Sequence, residues 1–181
     1  DGDDVLGHKQ RLSPFQRINH FPASAEICRK DFLAAHLNAA RAALPRDFAF
    51  APEAWVLPGQ LEDLRRDMRK RGRRRRPLYI AKPYARAQGK GISLLQAPAV
   101  PPPRKRVVVQ RYVRDPLLLD GFKFDLRVYV LVASVCPLTV YLYRDGLVRL
   151  ATVPYRPTGG GGGGGAGGGG GGTGADMAEA R

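Results

Sequence analysis

The sequence predicts an α+β fold, in which helices precede a series of short and mostly antiparallel strands. Apolar residues recur at helical spacing as far as Gly72, whereas from Leu78 onward they stand in short β-type segments bounded by turn residues. Because the helical and strand patterns are segregated along the chain, we expect antiparallel sheets with flanking helices.

Two helices are predicted before the main strand region. The first has Ser24 as a candidate N-cap and Pro45 as its stop, and the second runs on from Pro58 and breaks at Gly72. A short strand at residues 55–57 is predicted between them. The helical pattern is carried by Ile27, Leu33, Leu37, Ala40 and Leu44 in the first helix and by Leu61, Leu64 and Met68 in the second.

The last two predicted strands are joined through Asp145-Gly146, a strong hairpin signal, because glycine tolerates the positive φ that a two-residue turn demands. Residues 98–103 are too rich in proline for a helix or strand and are expected to form a surface connection. The predicted strands are Leu78 to Ala81, Gly91 to Leu95, Val107 to Tyr112, Phe122 to Ala133, Leu138 to Tyr143 and Leu147 to Thr152.

The end of the chain differs in composition from the rest. Residues 159–172 are glycine except for Ala166, so the foldable part ends near Thr158. Because glycine has no side chain to pack and loses the most backbone entropy on folding, residues 159–181 are expected to be a disordered, low-complexity tail. The start lacks Met and a signal-like segment, which predicts a non-secreted excerpt, and the two cysteines suit a reducing, cytoplasmic compartment.

The chain carries a formal charge of +14, and most of the excess lies in residues 65–76 and 104–106. Such clusters are typical of solvated loops, but they also suit an acidic partner, either a Glu-rich polypeptide or nucleic acid. We do not expect nucleic acid, because the clusters lack interleaved aromatic residues. We expect no membrane partner, since the most apolar stretch, residues 128–143, is too short for a bilayer and contains Pro137.

Charged and apolar residues alternate along residues 123–130. Period two places Lys123, Asp125 and Arg127 on one face of a strand. The pattern leaves open whether this charged face meets solvent through cross-strand salt bridges or lines a polar cleft. The other face, which is expected to meet a core, carries Phe124, Leu126, Val128 and Val130.

A second polar feature follows the predicted strand before Lys82. The loop after this lysine is basic and contains Gly89, Lys90 and Gly91. Such a loop suits a triphosphate, because glycine lets backbone amides approach phosphate oxygens closely and lysine supplies charge. The glycine pair is not a Walker motif, and plain hairpins also contain one.

Seven motifs in a fixed order give the sequence a specific resemblance. They are Asn-His-Phe-Pro at residues 19–22, Ile-Cys-Arg-Lys-Asp at 27–31, Ala-Lys-Pro at 81–83, Gln-Gly-Lys-Gly-Ile at 88–92, Val-Gln-Arg-Tyr at 109–112, the segment from Pro-Leu-Leu-Leu-Asp-Gly to Asp-Leu-Arg-Val-Tyr-Val at 116–130, and Tyr-Arg-Asp-Gly-Leu-Val-Arg-Leu-Ala-Thr at 143–152. With them the chain resembles the tubulin-tyrosine-ligase-like enzymes, and within these the glutamylase branch, from about Phe15 to Tyr155.

The resemblance implies an ATP-grasp-like fold, of which residues 15–158 would form a partial domain after an irregular segment at residues 1–14. It implies ATP and Mg²⁺ as cofactors, with no metal ligand in this chain because the metal-binding strand lies later in the family. The implied catalytic residues are Arg149, as the ligand of the amino-acid carboxylate, with Lys123, Asp125 and Arg127. The implied nucleotide-binding residues are Lys82, Gln88, Gly89, Lys90, Gly91, Gln110, Arg111, Tyr112, Val113, Lys123, Phe124 and Asp125.

The activity implied by the resemblance is ATP-dependent ligation of free L-glutamate to the acidic C-terminal tails of tubulin through an acyl phosphate. The expected partners are therefore tubulin tails and microtubules, in the cytoplasm and in cilia or basal bodies. Because the metal-binding strand is missing, we expect this fragment to be inactive alone. The alternative is a non-catalytic nucleotide- or microtubule-binding module. Leu150 stands where the family usually has an aromatic residue, a change that affects packing more than chemistry.

Overall fold

A computed structural model describes residues 13, 15–16, 21–72, 77–84, 86, 89–156 and 177–180. The described helices are α1 (Ala25–Cys28), α2 (Lys30–Ala43) and α3 (Leu61–Gly72), and the strands are β1 (Ala54–Leu57), β2 (Leu78–Pro83), β3 (Ser93–Gln96), β4 (Val107–Arg111), β5 (Leu118–Leu119), β6 (Phe122–Val135), β7 (Leu138–Ala151) and β8 (Met177–Ala180). The α+β prediction is confirmed. The chain divides into two compact units, one with residues 1–86 and 93–112, the other with residues 87–92 and 113–181.

The first predicted helix is interrupted. Arg29 adopts an extended conformation, with φ −81° and ψ 134°, and separates α1 from α2. Its guanidinium bonds the buried carboxylate of Asp31, with Nη2 and Oδ2 2.7 Å apart. A buried carboxylate needs such a partner, and a residue outside the helix can supply it. Ser24 precedes α1 as predicted, but its hydroxyl bonds Phe21 and caps no helix amide.

The first unit is a four-stranded antiparallel sheet in the order β1-β4-β2-β3. The face toward α3 carries the larger core, in which Leu64 and Met68 of the helix are buried with Trp55, Leu57, Tyr79, Ala81, Val107 and Val109. The other face packs Ala54 and Val108 against Ala34 of α2. Helices therefore cover both faces of this sheet. The connection at residues 98–103 is neither helix nor strand, as predicted, although Pro101 is buried.

The second unit is a sheet in the order β5-β6-β7-β8. Its main feature is a long hairpin of β6 and β7, 14 residues each, that turns at Cys136-Pro137. A shorter turn joins β5 to β6 at Asp120 and Gly121, whose φ angles are 49° and 83°. Two consecutive positive φ angles are typical of a two-residue Asp-Gly hairpin turn.

The predicted turn at Asp145-Gly146 is wrong. The strand β7 continues through these residues, and Gly146 lies opposite Val128. Residues 143–145 stand opposite the single residue Tyr129, so the ladder contains a bulge between two regular stretches. A Cβ atom at Gly146 would stand 2.6 Å from the carbonyl oxygen of Arg127. The glycine is therefore required by the close approach of two strands and not by a turn.

The prediction that the apolar face of β6 meets a core is wrong for the part of the chain that the structure describes. Leu126, Val128 and Val130 are 62%, 57% and 55% exposed. No described residue of the second unit is buried. The alternating pattern correctly separates the two faces, but no described element of this unit packs on the apolar one.

The glycine-rich end is only partly described. Residues 159–176 lie outside the described residues, whereas Met177–Ala180 form β8 beside β7, with Met177 opposite Ala151. The prediction of a disordered tail over residues 159–181 did not include this strand. Among the described helices, none has both the length and the apolar character needed to cross a membrane.

Candidate functional site

Two predicted nucleotide-binding side chains meet on the first sheet. Lys82 of β2 and Gln110 of β4 point away from the α3 core, because they alternate with the core residues Ala81 and Val109. The ammonium of Lys82 donates to Oε1 of Gln110 at 2.7 Å. Burial lowers the pKa of Lys82, and the nearby ammonium of Lys30 lowers it further. The amide oxygen therefore holds a partly desolvated cation in place.

Lys30 is a candidate site residue that the sequence analysis did not single out. It begins α2, and its ammonium donates to the carbonyl oxygen of Arg86 at 2.5 Å. Together with Lys82 it concentrates positive charge, which suits the binding of phosphate. The motif at residues 27–31 contains it, but spacing did not distinguish it from Arg29, whose charge serves Asp31.

The side chain of Arg111 lies on the opposite face from Lys82. Its guanidinium bonds Glu53 and lies 3.6 Å from Asp67 of α3. Asp67 also accepts from Arg71 at 2.7 Å and from the hydroxyl of Tyr79 at 2.9 Å. Burial, and then this hydrogen bond, raise the pKa of Tyr79. The side chain of Arg111 thus joins α3 to the sheet.

Residues 110–113 are among the nucleotide-binding residues that the resemblance implies, with their backbone groups pairing with the edge of the adenine base. The amide of Arg111 donates to the carbonyl of Glu53 at 2.8 Å, and the amide of Tyr112 donates to that of Leu78 at 2.9 Å. Each amide has a single hydrogen, so contacts with a base would have to use other backbone groups of the segment, such as those of Val113.

The glycine loop belongs to the second unit. Gly89 and Gly91 have φ angles of 72° and 74°, and the amide of Ile92 donates to the carbonyl of Gly89 at 3.2 Å. This is a tight turn that needs glycine, with Lys90 exposed at its tip. A plain turn and a phosphate loop share this geometry. Gln88 lies outside the described residues.

Asp125 and Arg149 form the charged centre of the second sheet. They lie directly opposite each other on β6 and β7. Nε of Arg149 donates to Oδ1 of Asp125 at 2.8 Å, and Nη2 bonds the second oxygen. These hydrogen bonds lower the pKa of Asp125, and the charge of Arg127 adds to the effect. The cross-strand salt bridge, which was one of the two interpretations of the charged face, is therefore present. The exposed guanidinium of Arg127 lies on the same face.

Lys123 shares this face at the start of β6. Its ammonium lies 4.9 Å from the centre of the ring of Tyr155, a residue that the sequence analysis did not single out. Phe124, also predicted to bind nucleotide, points to the opposite face of the strand because it alternates with Lys123 and Asp125. The structure therefore brings together Lys123, Asp125, Arg127 and Arg149, but not Phe124.

No metal site is evident in the described residues. Within residues 21–72, 77–84 and 89–156, no group of three or more His, Cys, Asp or Glu side chains is placed to hold a metal ion. Mg²⁺ requires several oxygen ligands, and the described carboxylates do not supply such a set. The cysteines Cys28 and Cys136 are both free and exposed.

Comparison with known proteins gives a consistent result. Residues 8–160 match the model of the Tubulin-tyrosine ligase family. The mouse protein "Tubulin polyglutamylase TTLL7" is 42% identical over 149 residues, which cover 81% of this chain and 16% of the relative. The human "Tubulin polyglutamylase TTLL13" is 45% identical over 144 residues, covering 80% and 17%. A Tetrahymena thermophila "Probable beta-tubulin polyglutamylase" is 42% identical over 146 residues, covering 81% and 12%. The chain spans 12 to 17% of the length of these relatives.

Proposed function

The chain belongs to the tubulin-tyrosine ligase family, and from this premise we propose that it forms part of an ATP-dependent ligase that joins glutamate to the acidic tails of tubulin. The three relatives described above each match 80% or more of the chain and have tubulin polyglutamylase in their names, which supports glutamate as the donor and tubulin as the acceptor. Because the chain spans a small part of those relatives, the complete activity belongs to a longer polypeptide.

The charged face of the β6–β7 hairpin carries the proposal. An α-amino acid presents a carboxylate and an ammonium group, and this face presents two guanidinium groups beside one carboxylate. Arg149 and Arg127 would bind the substrate carboxylate, for which a planar fork of donors is well suited. Asp125 would accept a hydrogen bond from the amino group. Its pKa is lowered by Arg149, so it orients the amine and does not act as the base that deprotonates it.

The first sheet would supply part of the nucleotide site. Lys82 is held by Gln110, and Lys30 lies close enough to lower the pKa of Lys82. Two ammonium groups at a partly desolvated position favour a polyanion such as a triphosphate. Phosphate binding would also relieve the repulsion between the two cations.

In the proposed reaction, the terminal phosphoryl group of ATP passes to a side-chain carboxylate of the acceptor, which forms an acyl phosphate and releases ADP. The ammonium group of glutamate loses one proton to water, and the resulting amine attacks the acyl carbon. The amide bond forms as the bond between the acyl carbon and the phosphate oxygen breaks, and the departing inorganic phosphate takes up the second proton from nitrogen. The protein mainly aligns the reactants and offsets negative charge on the transferred phosphoryl group. When bound, Mg²⁺ would supply further neutralisation of that charge.

The test is amino-acid incorporation by a ligase polypeptide that contains residues 1–181 and the rest of its catalytic domain. Labelled glutamate should enter tubulin only with ATP, and tubulin whose tails have been removed by protease should take up none. Incorporation of tyrosine or glycine in place of glutamate would refute the assignment to the glutamylase branch. ATP or microtubule binding without any incorporation would support the alternative, a non-catalytic binding module.

A further inference from the structure

The segment after β7 returns across the start of β6 and is fixed there by Tyr155. The backbone amide of Tyr155 donates to the carbonyl of Gly121 at 2.8 Å. Its hydroxyl donates to the carbonyl of Arg114 at 2.5 Å. Both acceptors are main-chain oxygens, so the ring is anchored at its two ends by groups whose positions are set by the backbone. An aromatic ring held in this way is a rigid platform.

The face of this ring carries the ammonium of Lys123. The nitrogen lies 4.9 Å from the ring centre, within the range of a cation–π contact. Such a contact orients the ammonium group. It leaves the positive charge and the N–H donors of the lysine available to a ligand. Lysine has a flexible side chain, and holding it in one conformation costs conformational entropy that a ligand would otherwise have to offset.

We propose that Tyr155 is a positioning residue that presents the ammonium of Lys123 to the nucleotide. This inference rests on the proposed function, because it takes Lys123 to be a nucleotide-binding group. Tyr155 itself touches no reacting atom. It acts by fixing Lys123 before ATP arrives, so its loss should weaken nucleotide binding through Lys123 and through no other residue.

The first experiment measures the dissociation constant for ATP by calorimetry in a ligase polypeptide that contains this chain. Tyr155→Leu removes the ring face and should raise the constant roughly 3- to 30-fold, the range expected for one cation–π contact. Tyr155→Phe keeps the face and should give a smaller rise, below about threefold. Val153→Ala, at an exposed position of the same segment, is the control for disturbance of the chain and should bind ATP as the parent does.

A double-mutant cycle separates positioning from general stability. In a Lys123→Met background, Tyr155→Leu should raise the dissociation constant for ATP no further, because the ring then has no ammonium to hold. A further rise of the same size in that background would overturn the proposal. So would equal effects of Tyr155→Leu and Tyr155→Phe, which would assign the role to the hydroxyl and its bond to Arg114.

If Tyr155→Leu does not fold, ring fluorination provides a version that keeps the shape. Replacing Tyr155 by phenylalanines with successively more fluorine atoms weakens the negative potential of the ring face, so the dissociation constant should rise with each atom. A constant value across the series would refute the proposal. Since ATP binding is measured without turnover, a parent protein that binds ATP but attaches no glutamate would refute the proposed function and leave this inference standing.

Discussion

Exchanging the charges of Asp125 and Arg149 tests whether this pair serves the fold or the substrate. The exposed fractions of the two side chains are 46% and 30%, so solvent screens the pair and its contribution to stability is about 0.5–1 kcal/mol. A guanidinium that binds a substrate carboxylate contributes more to substrate binding than this pair contributes to stability, because its loss leaves the substrate carboxylate unpaired. We expect Arg149→Gln to cost about 2–4 kcal/mol of transition-state binding, or roughly 30- to 1000-fold in kcat/KM for glutamate.

The double variant Asp125→Arg with Arg149→Asp distinguishes the two roles. It restores an ion pair across the same register, so the free energy of unfolding should return to within about 0.5 kcal/mol of the parent. Glutamate incorporation should stay lost, because a carboxylate now stands where the substrate carboxylate would bind. Arg144→Gln, at a highly exposed position of the same strand, is the matched control and should retain incorporation. Recovery of kcat/KM to within about tenfold of the parent in the double variant would refute the reasoning.

Three further predictions concern the core, the bulge and the lysine. Leu64→Ala, at a fully buried position, should lower the free energy of unfolding of the first unit by about 2–5 kcal/mol. The control Leu94→Ala, at a position that is 36% exposed, should lower it by less than about 1 kcal/mol. Equal losses in denaturant titrations would contradict the assigned core. Gly146→Ala should push β7 away from the carbonyl of Arg127, lower the free energy of unfolding by about 1–3 kcal/mol and raise KM for glutamate. An unchanged KM would contradict the close approach of the two strands. ATP affinity should fall as pH rises through the folded pKa of Lys82, which burial lowers from its ordinary value, because bound phosphate favours the protonated form. In calorimetric titrations, Lys82→Met should remove that part of the pH dependence.

The first unit could be predicted well from sequence because local rules and packing agree there. The helix α3 begins and ends as expected, and its apolar residues Leu64 and Met68 are the ones that pack on the sheet. The break at Arg29 could not be predicted, since helical spacing continues across it. The cause is the need of Asp31 for a partner, and burial of a carboxylate is a tertiary effect.

Two Asp-Gly pairs in the strand region show the limit of turn signals. At Asp120-Gly121 both residues take positive φ and form the turn, whereas at Asp145-Gly146 the strand continues. At the first pair, glycine is needed because it tolerates a positive φ. At the second pair, glycine is needed because it has no Cβ atom, which lets the carbonyl of Arg127 approach. The difference depends on a strand about 20 residues away in sequence and is absent from any local pattern.

The candidate site shows a similar division. Alternation correctly placed Lys123, Asp125 and Arg127 on one face, but it could not show that Arg149 is in register with Asp125 or that Tyr155 returns to Lys123. Those contacts depend on pairing between distant segments. The motif at residues 109–112 predicts that Arg111 binds nucleotide. In the structure its side chain instead contacts Glu53 and Asp67, and so links the sheet to α3.

Burial in the second unit is the reverse of what alternation suggests. Asp125 is better covered than Leu126 or Val128, because Arg149 pairs with it across the strands while no described element of this unit packs on the apolar face. Hydrophobic pattern identifies which side chains share a face, but burial depends on whether another element is present to pack there. In the described part of this unit, the geometry of the charged face is therefore held by polar contacts and strand pairing and not by an apolar core. For that reason single changes at Asp125 or Tyr155 should alter substrate binding more than they alter stability.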